Sequence, residues 1–213
     1  MVTFHIITLF PESVSAYLDA SILGRAQERK KIRVHYYNPR DYTKDKHRRV
    51  DRRPYGGGPG MVIEPESVLA ASSHALGKKR DAAVLFFSPS GKQFDGAYAK
   101  KLAATKKHII LIAGHYEGID ARVVRSLKAT SLSVGPYVLS GGEVPAMVVV
   151  DAVSRFIPGV LGNAVSLEDA RVASPDVYTR PESFVFQGKS YRVPRILLSG
   201  HHKKIEEWKR SRK

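Results

Sequence analysis

Five short apolar runs rich in β-branched residues, separated by stretches of helical character, constrain this chain more than any single motif. The runs are Thr3–Leu9, Ile32–Tyr37, Ala82–Phe87, His108–Ala113 and Ser131–Val134. Between and after them the pattern predicts helices over Glu12–Glu28, Pro65–Leu76, Phe94–Leu102, Ile119–Leu127 and Pro145–Arg155. Strands alternating with helices build an α/β fold, a parallel sheet with helices on both faces. Pro11 and Pro145 suit first helical turns, where the missing N–H has no partner to lose. The 213 residues accommodate one medium domain and a small appendage. Hydrophobic residues make up 43%, which excludes a globally disordered chain. With no cysteine, disulfide frameworks, thiolate metal sites and thiolate nucleophiles are excluded.

Glycine marks where a ligand would meet this sheet. Tyr137-Val-Leu-Ser-Gly-Gly-Glu143 joins the last run to an amphipathic stretch. Ala113-Gly-His-Tyr-Glu-Gly118 follows the fourth run, and Ser88-Pro-Ser-Gly91 the third. Three loops after three strands of one sheet describe a crevice at the strand ends. Gly114, Gly118, Gly135, Gly141 and Gly142 let backbone N–H and C=O groups face an adenine or a small zwitterion directly. A G-x-G-x-x-G pattern and a Lys-Ser/Thr phosphate loop are both missing, which disfavours dinucleotide and nucleoside triphosphate sites.

The net charge of +15 is concentrated. Residues 25–53 carry +8 and residues 189–213 carry +7, whereas 54–188 carry only +2. Two basic segments flanking a near-neutral middle fit phosphate-backbone binding. Neither has the long apolar face of a membrane-surface helix. The loop Arg40-Asp-Tyr-Thr-Lys-Asp-Lys-His-Arg-Arg-Val-Asp51 lies among Tyr36, Tyr37, Tyr42 and Tyr55. Aromatics among arginines suit stacking on unpaired bases as well as phosphate contact; a plain solvated loop is the alternative. No apolar run approaches the roughly 18 residues of a membrane span. Met1–Phe10 lacks a basic start and a cleavage site, so a soluble cytoplasmic protein without membrane partners is expected.

Four polar side chains could carry chemistry. Glu117 either orients a ligand or holds a hard cation such as Mg²⁺, or is a solvated loop carboxylate. His115, with no clustered ligands in sequence, reads as a polar loop residue. Arg155 and Asp169 suit acid–base work on a polar heterocycle. The carboxylate would accept a ring N–H proton and the guanidinium would stabilise charge on a carbonyl oxygen; such pairs are common, and taken by themselves they read first as a plain salt bridge. Two breaks interrupt the pattern. Asn38–Gly60 is basic and then glycine-rich, long enough to be functional. Residues 157–181 resemble a linker to a small C-terminal piece ending in a helix over His202–Arg210.

These residues also carry a resemblance. Leu9-Phe-Pro-Glu12, Asn38-Pro-Arg-Asp41, Arg53-Pro-Tyr-Gly-Gly-Gly-Pro-Gly-Met61, Gly114-His-Tyr-Glu-Gly-Ile-Asp120, Tyr137 through Met147, Ser154-Arg-Phe-Ile-Pro-Gly-Val-Leu-Gly162, Glu168-Asp169, Tyr178-Thr-Arg-Pro181 and Leu197-Leu-Ser-Gly-His201 occur in order over nearly the whole chain. Together they resemble bacterial tRNA (guanine-N1-)-methyltransferases, the TrmD family of the SPOUT superfamily. The resemblance implies a SPOUT fold with a deep trefoil knot and a homodimer with each active site at the subunit interface. It implies a catalytic domain over 1–160, a linker over 161–181 and a short tRNA-binding segment over 182–213.

The implied reaction is S-adenosylmethionine-dependent methylation of N1 of the guanosine just 3′ of the anticodon. Asp169 would be the base and Arg155 the stabiliser of O6, the two coming from different subunits. The implied cofactor contacts are Phe86, Phe87, Ser88, Pro89, Gly114, Tyr116, Glu117, Val134, Gly135, Pro136, Tyr137, Val138, Leu139, Gly141, Gly142 and Pro145. The implied tRNA contacts are His47, Arg48, Asp51, Gly56, Gly57, Gly58, Pro59 and Gly60, with Glu117 as a Mg²⁺ candidate. Three departures accompany the match. Pro136 stands where the family has an acidic residue, the stretch from Asp169 to Tyr178 is short, and little chain follows Trp208. A non-catalytic RNA-binding protein and another SPOUT RNA methyltransferase are the alternative readings.

Overall fold

The computed structural model describes residues 1–161 and 176–212. The chain divides into two compact units, Met1–Gly162 and Asn163–Lys213. In the first, β1 (Val2–Ile7) leads to α1 (Pro11–Leu18), α2 (Ser21–Glu28) and β2 (Ile32–Tyr37). A 3-10 turn (Pro39–Asp41), the short strands β3 (Asp51–Arg52) and β4 (Val62–Ile63), and α3 (Pro65–Leu76) follow. Then come β5 (Ala82–Gln93), α4 (Gly96–Thr105), β6 (His108–Ile112), α5 (Arg122–Ser126), β7 (Thr130–Ser133) and α6 (Glu143–Arg155). Five of the strands form one sheet in the order β2-β1-β6-β5-β7, with every neighbouring pair parallel.

Both faces of this sheet are covered, which is why Ala82–Phe87 of β5 and Ile109–Ile112 of β6 are continuously apolar rather than alternating. All six residues of β1 are buried. Phe4, Ile6, Ile109 and Leu111 pack against Val14 and Leu18 of α1, Leu102 of α4, and Val149, Val150 and Val153 of α6. On the other face Ile7, Ile110 and Ile112 meet Val68, Ala71 and Ala75 of α3 and Val123 of α5.

The strand expected over Thr3–Leu9 runs Val2–Ile7 and the helix expected from Pro145 starts at Glu143; four further elements differ from the expectation, each for a local reason. The helix over Glu12–Glu28 is two helices. Ala20 is extended and Ser21 has φ 52°, so α2 starts on a new axis. In one straight helix Val14 and Leu18 would share a face with Ile22 and Arg25. The chain instead buries Leu23 and Ala26 and leaves Ile22 42% exposed, which requires the break. The strand expected to stop at Phe87 resumes at Lys92, and both residues pair with Leu132 across a register shift. Residues 88–91 are therefore an excursion within β5. The helix expected from Phe94 begins at Gly96, because the Phe94 N–H donates to Ser133 O (2.8 Å) and Asp95 caps Tyr98 N (2.7 Å). The helix expected from Ile119 begins at Arg122. Ile119 and Asp120 are drawn into pairing with Ile63, and the Asp120 carboxylate then accepts Arg122 N at 2.9 Å.

The second unit holds a hairpin, β8 (Ser183–Phe186) against β9 (Lys189–Arg192), then α7 (Arg195–Leu198) and α8 (His202–Arg210). The terminal helix has the expected bounds. The hairpin was not anticipated, although its signal is present: alternating side chains around Gln187-Gly188. Both turn residues have positive φ, 49° and 73°, the mirror-image turn that matches strand twist.

Candidate active site

A cleft of about 310 Å³ opens where β5, β6 and β7 end, the usual ligand position on such sheets. Its base is apolar, formed by Phe86, Phe87, Leu132 and Val134, and its walls are the three glycine-bearing loops. The loop after β7 starts beside β5 yet finishes on β6, so it crosses the carboxyl end of β5. There the Gly142 N–H donates to Gly114 O at 2.7 Å, and His115 bridges Gly141. Position 142 requires glycine, because a Cβ would stand 2.5 Å from Ala113 Cα.

Of the residues implied as cofactor contacts, all but Pro136 line the cleft. Pro136 is exposed and outside the lining, so its departure from the family pattern falls on the outer side of the loop. The lining also includes His115, Gly118, Leu132, Ser133 and Ser140.

Beneath the cleft lies a polar knot of contacts that sequence reasoning missed. Glu143, first residue of α6, is 8% exposed and accepts from Thr8 Oγ1 at 2.7 Å. The Thr8 hydroxyl in turn accepts Phe10 N at 3.0 Å. His115 Nδ1 lies 3.4 Å from the second carboxylate oxygen, and its ring packs on Phe10 at 4.7 Å. A carboxylate at a helix N-terminus is also favoured by the helix dipole. Thr8 and Glu143 are separated by 135 positions, and no spacing rule links them. Above this group Tyr116 is held at φ 60° with its ring exposed. Backbone held in that region is a mark of ligand clamps.

The candidate tRNA contacts are partly rigid and partly open. Arg48 pairs with Asp41, and Arg40 and Arg48 exchange side chain–carbonyl bonds at 3.2 Å. Asp45 accepts Arg49 N and His47 N, and these bonds hold its carboxyl below the usual range. Val50 anchors the loop in the core with no exposure, and Asp51 pairs with Ile63. Gly56, Gly57, Gly58 and Gly60 all have positive φ, and Pro59 stands among them, exposed. The loop returns to the cleft rim, where the Glu117 N–H donates to Met61 O at 3.0 Å. Residues 56–60 thus adjoin the cleft.

Arg155 does not. It ends α6, 13 residues beyond Gly142 of the cleft wall, and at 1.5 Å per residue that is about 19 Å along the helix. Arg155 lines a separate groove of about 410 Å³ with Tyr17, Val144, Met147, Val148, Asp151 and Ala152. Among the described residues no hydrogen bond or ion pair reaches its guanidinium. Asp169 lies outside the described residues. Glu117 is exposed, and among the described residues no group of three His, Asp or Glu gathers to hold a metal. No helix among them is long and apolar enough to cross a membrane.

A backbone-walled cleft at the ends of a parallel sheet, rimmed by a basic glycine-rich loop, defines an α/β protein with a small-ligand cleft and a positively charged surface beside it. The chain belongs to the family described as tRNA (Guanine-1)-methyltransferase TrmD, whose profile matches residues 2–213. A tRNA (guanine-N(1)-)-methyltransferase of Clostridioides difficile (strain 630) is 43% identical, with 97% of this chain and 90% of that protein aligned. The like-named protein of Dictyoglomus turgidum (strain DSM 6724 / Z-1310) is 45% identical over 99% of this chain and 84% of its own length. That of Psychromonas ingrahamii (strain DSM 17664 / CCUG 51855 / 37) is 46% identical over 96% and 84%.

Proposed function

We propose that this protein transfers the methyl group of S-adenosylmethionine to N1 of the guanosine just 3′ of the anticodon in tRNA. The single observation that carries the reading is the junction of the two sites. The apolar, backbone-walled cleft touches the basic loop through the Glu117–Met61 bond, so ligand and RNA surfaces share a rim. The residues present fit the cofactor: an apolar base suits adenine, and glycine at 142 lets the Tyr137–Glu143 loop seat its main chain directly on Ala113 and Gly114, so that backbone groups wall the cleft. When bound, S-adenosylmethionine supplies an electrophilic methyl on a positively charged sulfur.

The chain's residues then have two tasks. Guanine N1 bears a proton and no free lone pair, so a base must remove it; Asp169 takes that proton. Arg155 stabilises the negative charge that moves to O6. The freed N1 pair would form the new N–C bond as the S–C bond to the methyl breaks and its electron pair returns to sulfur, so that S-adenosylhomocysteine leaves. An aspartate at its ordinary pKa of about 3.9 is a weak base, so it needs Arg155 beside the same guanine. Arg155 stands about 19 Å along α6 from its own cleft, and the reading therefore requires a second subunit. The apolar groove along α6, with Val144 48% and Val148 41% exposed, suits that contact. The finer features of the reading are a trefoil knot closed where the loop after β7 crosses β5, a catalytic domain over 1–160, a linker over 161–181, a tRNA-binding segment over 182–213, and a cytoplasmic location.

Single-turnover transfer of labelled methyl to an unmodified tRNA transcript tests it. Transfer is expected to the transcript with guanosine 3′ of the anticodon, none to one with adenosine there, and none from Asp169→Ala. Equal transfer to both transcripts would overturn the assignment.

A further inference from the structure

The second unit carries an aromatic surface that the cleft and its rim leave unexplained. In the β8–β9 hairpin Phe184 pairs with Tyr191 and Phe186 with Lys189. Strand alternation puts these four side chains on one face. The Phe184 and Tyr191 rings stack with centroids 5.3 Å apart and planes 15° from parallel. They are nevertheless open to solvent: Phe184 is 55%, Phe186 58% and Tyr191 46% exposed. No residue of β8, β9, α7 or α8 is buried, so this face is not the core of its own unit. An isolated two-stranded hairpin is marginal in water, and an uncovered aromatic face implies a partner.

Charge decides what kind. Residues 183–192 contain no Asp or Glu and hold Lys189 and Arg192, and residues 189–213 carry +7. A cation beside flat, solvent-facing rings on a small sheet is the arrangement by which unpaired bases are bound, each base stacking on a ring while its phosphate meets a positive charge. Two like faces meeting in a dimer would instead bring the Lys189 cations of the two copies together.

We infer that the β8–β9 hairpin is a base-stacking platform for unpaired nucleotides of the RNA substrate, with Phe184, Phe186 and Tyr191 as the stacking rings and Lys189 as the phosphate contact. The inference rests on the proposed function in two respects, that the substrate is RNA and that residues 182–213 meet it, and adds the stacking mode and the side chains that carry it.

The test measures binding of an unmodified tRNA transcript across a salt series, for the whole protein and for variants. Phe184→Ser/Tyr191→Ser is expected to weaken binding about tenfold or more without changing the slope of log K against log salt, because stacking carries no counterions. Lys189→Ala is expected to reduce that slope by about 0.7–0.9. Tyr191→Phe keeps the ring and should bind as the unaltered protein does. A second measurement needs no variant: ultraviolet crosslinking of a transcript bearing 4-thiouridine should attach nucleotides to the peptide spanning 183–192. Unchanged affinity in the double variant, or crosslinks confined to other peptides, overturns the platform. So does loss of dimer in sedimentation with RNA affinity retained, which would make the face a contact between copies. Failure of the unaltered protein to methylate the guanosine transcript, with crosslinks still on the hairpin, would sink the proposed reaction and leave the platform standing.

Discussion

Glu143 shows how one side chain joins three elements. It binds the end of β1 through Thr8, faces His115 beyond β6, and starts α6. Glu143→Ala strands a buried hydroxyl, which costs about 1–3 kcal/mol. Urea unfolding should register that loss, with a smaller one for Glu143→Gln, whose amide oxygen still accepts. Because the same contact steadies the loop at 114–118, calorimetry should find weaker S-adenosylmethionine binding in the alanine variant. Gly142→Ala acts through space rather than charge. Its Cβ would face main-chain atoms of Ala113 and Gly114 that cannot swing away. We expect roughly 1–3 kcal/mol lost from overpacking and a still larger loss of cofactor affinity, since the displaced loop walls the cleft.

At the scale of elements, β1, β2 and β6 share a histidine group on the α3 side. His5 Nδ1 lies 3.1 Å from Tyr37 Oη, and Nε2 lies 3.2 Å from His108 Nδ1, with His35 stacked alongside at 5.6 Å. Burial, reinforced by Lys79 and the neighbouring histidines, lowers the His5 pKa from 6.5 to about 4. The sign follows from linkage. The unfolded chain takes up its proton near pH 6.5, while the folded chain resists until about pH 4. This contribution to stability is complete above pH 6.5 and is lost on acidification through that window. The urea midpoint should fall between those two values, and His5→Phe should flatten the fall. A midpoint indifferent to pH in the unaltered protein would contradict the burial argument.

For the whole molecule, the length of α6 makes the strongest demand. Its two ends are about 19 Å apart, with Gly142 in the cleft at one and Arg155 in the apolar groove at the other. If each site draws Arg155 and Asp169 from different subunits, two inactive variants can complement each other. Mixing and refolding Arg155→Ala with Asp169→Ala should restore activity to about a quarter of the unaltered level, because half the dimers are mixed and each has one intact site. No recovery in verified mixed dimers would mean that both groups come from one subunit. Arg155→Ala alone should leave stability within about 0.5 kcal/mol, since no described residue bonds to it, and methyl-transfer rates would show the whole effect.

The alternation of apolar runs and helices was enough to read a parallel sheet, because burial on both faces leaves continuous apolar runs at Ala82–Phe87 and Ile109–Ile112. Three glycine-bearing loops after three strands were enough to locate a cleft, since chain order puts their ends on one edge. The same local rules failed where distant residues competed. The break at Ser21 and the late starts of α4 and α5 depend on burial or pairing made elsewhere in the chain. The Thr8–Glu143 bond spans 135 positions, and the distance of Arg155 from its own cleft is a property of where α6 lies. Periodicity records which way a side chain faces, and only the folded molecule decides what it meets there.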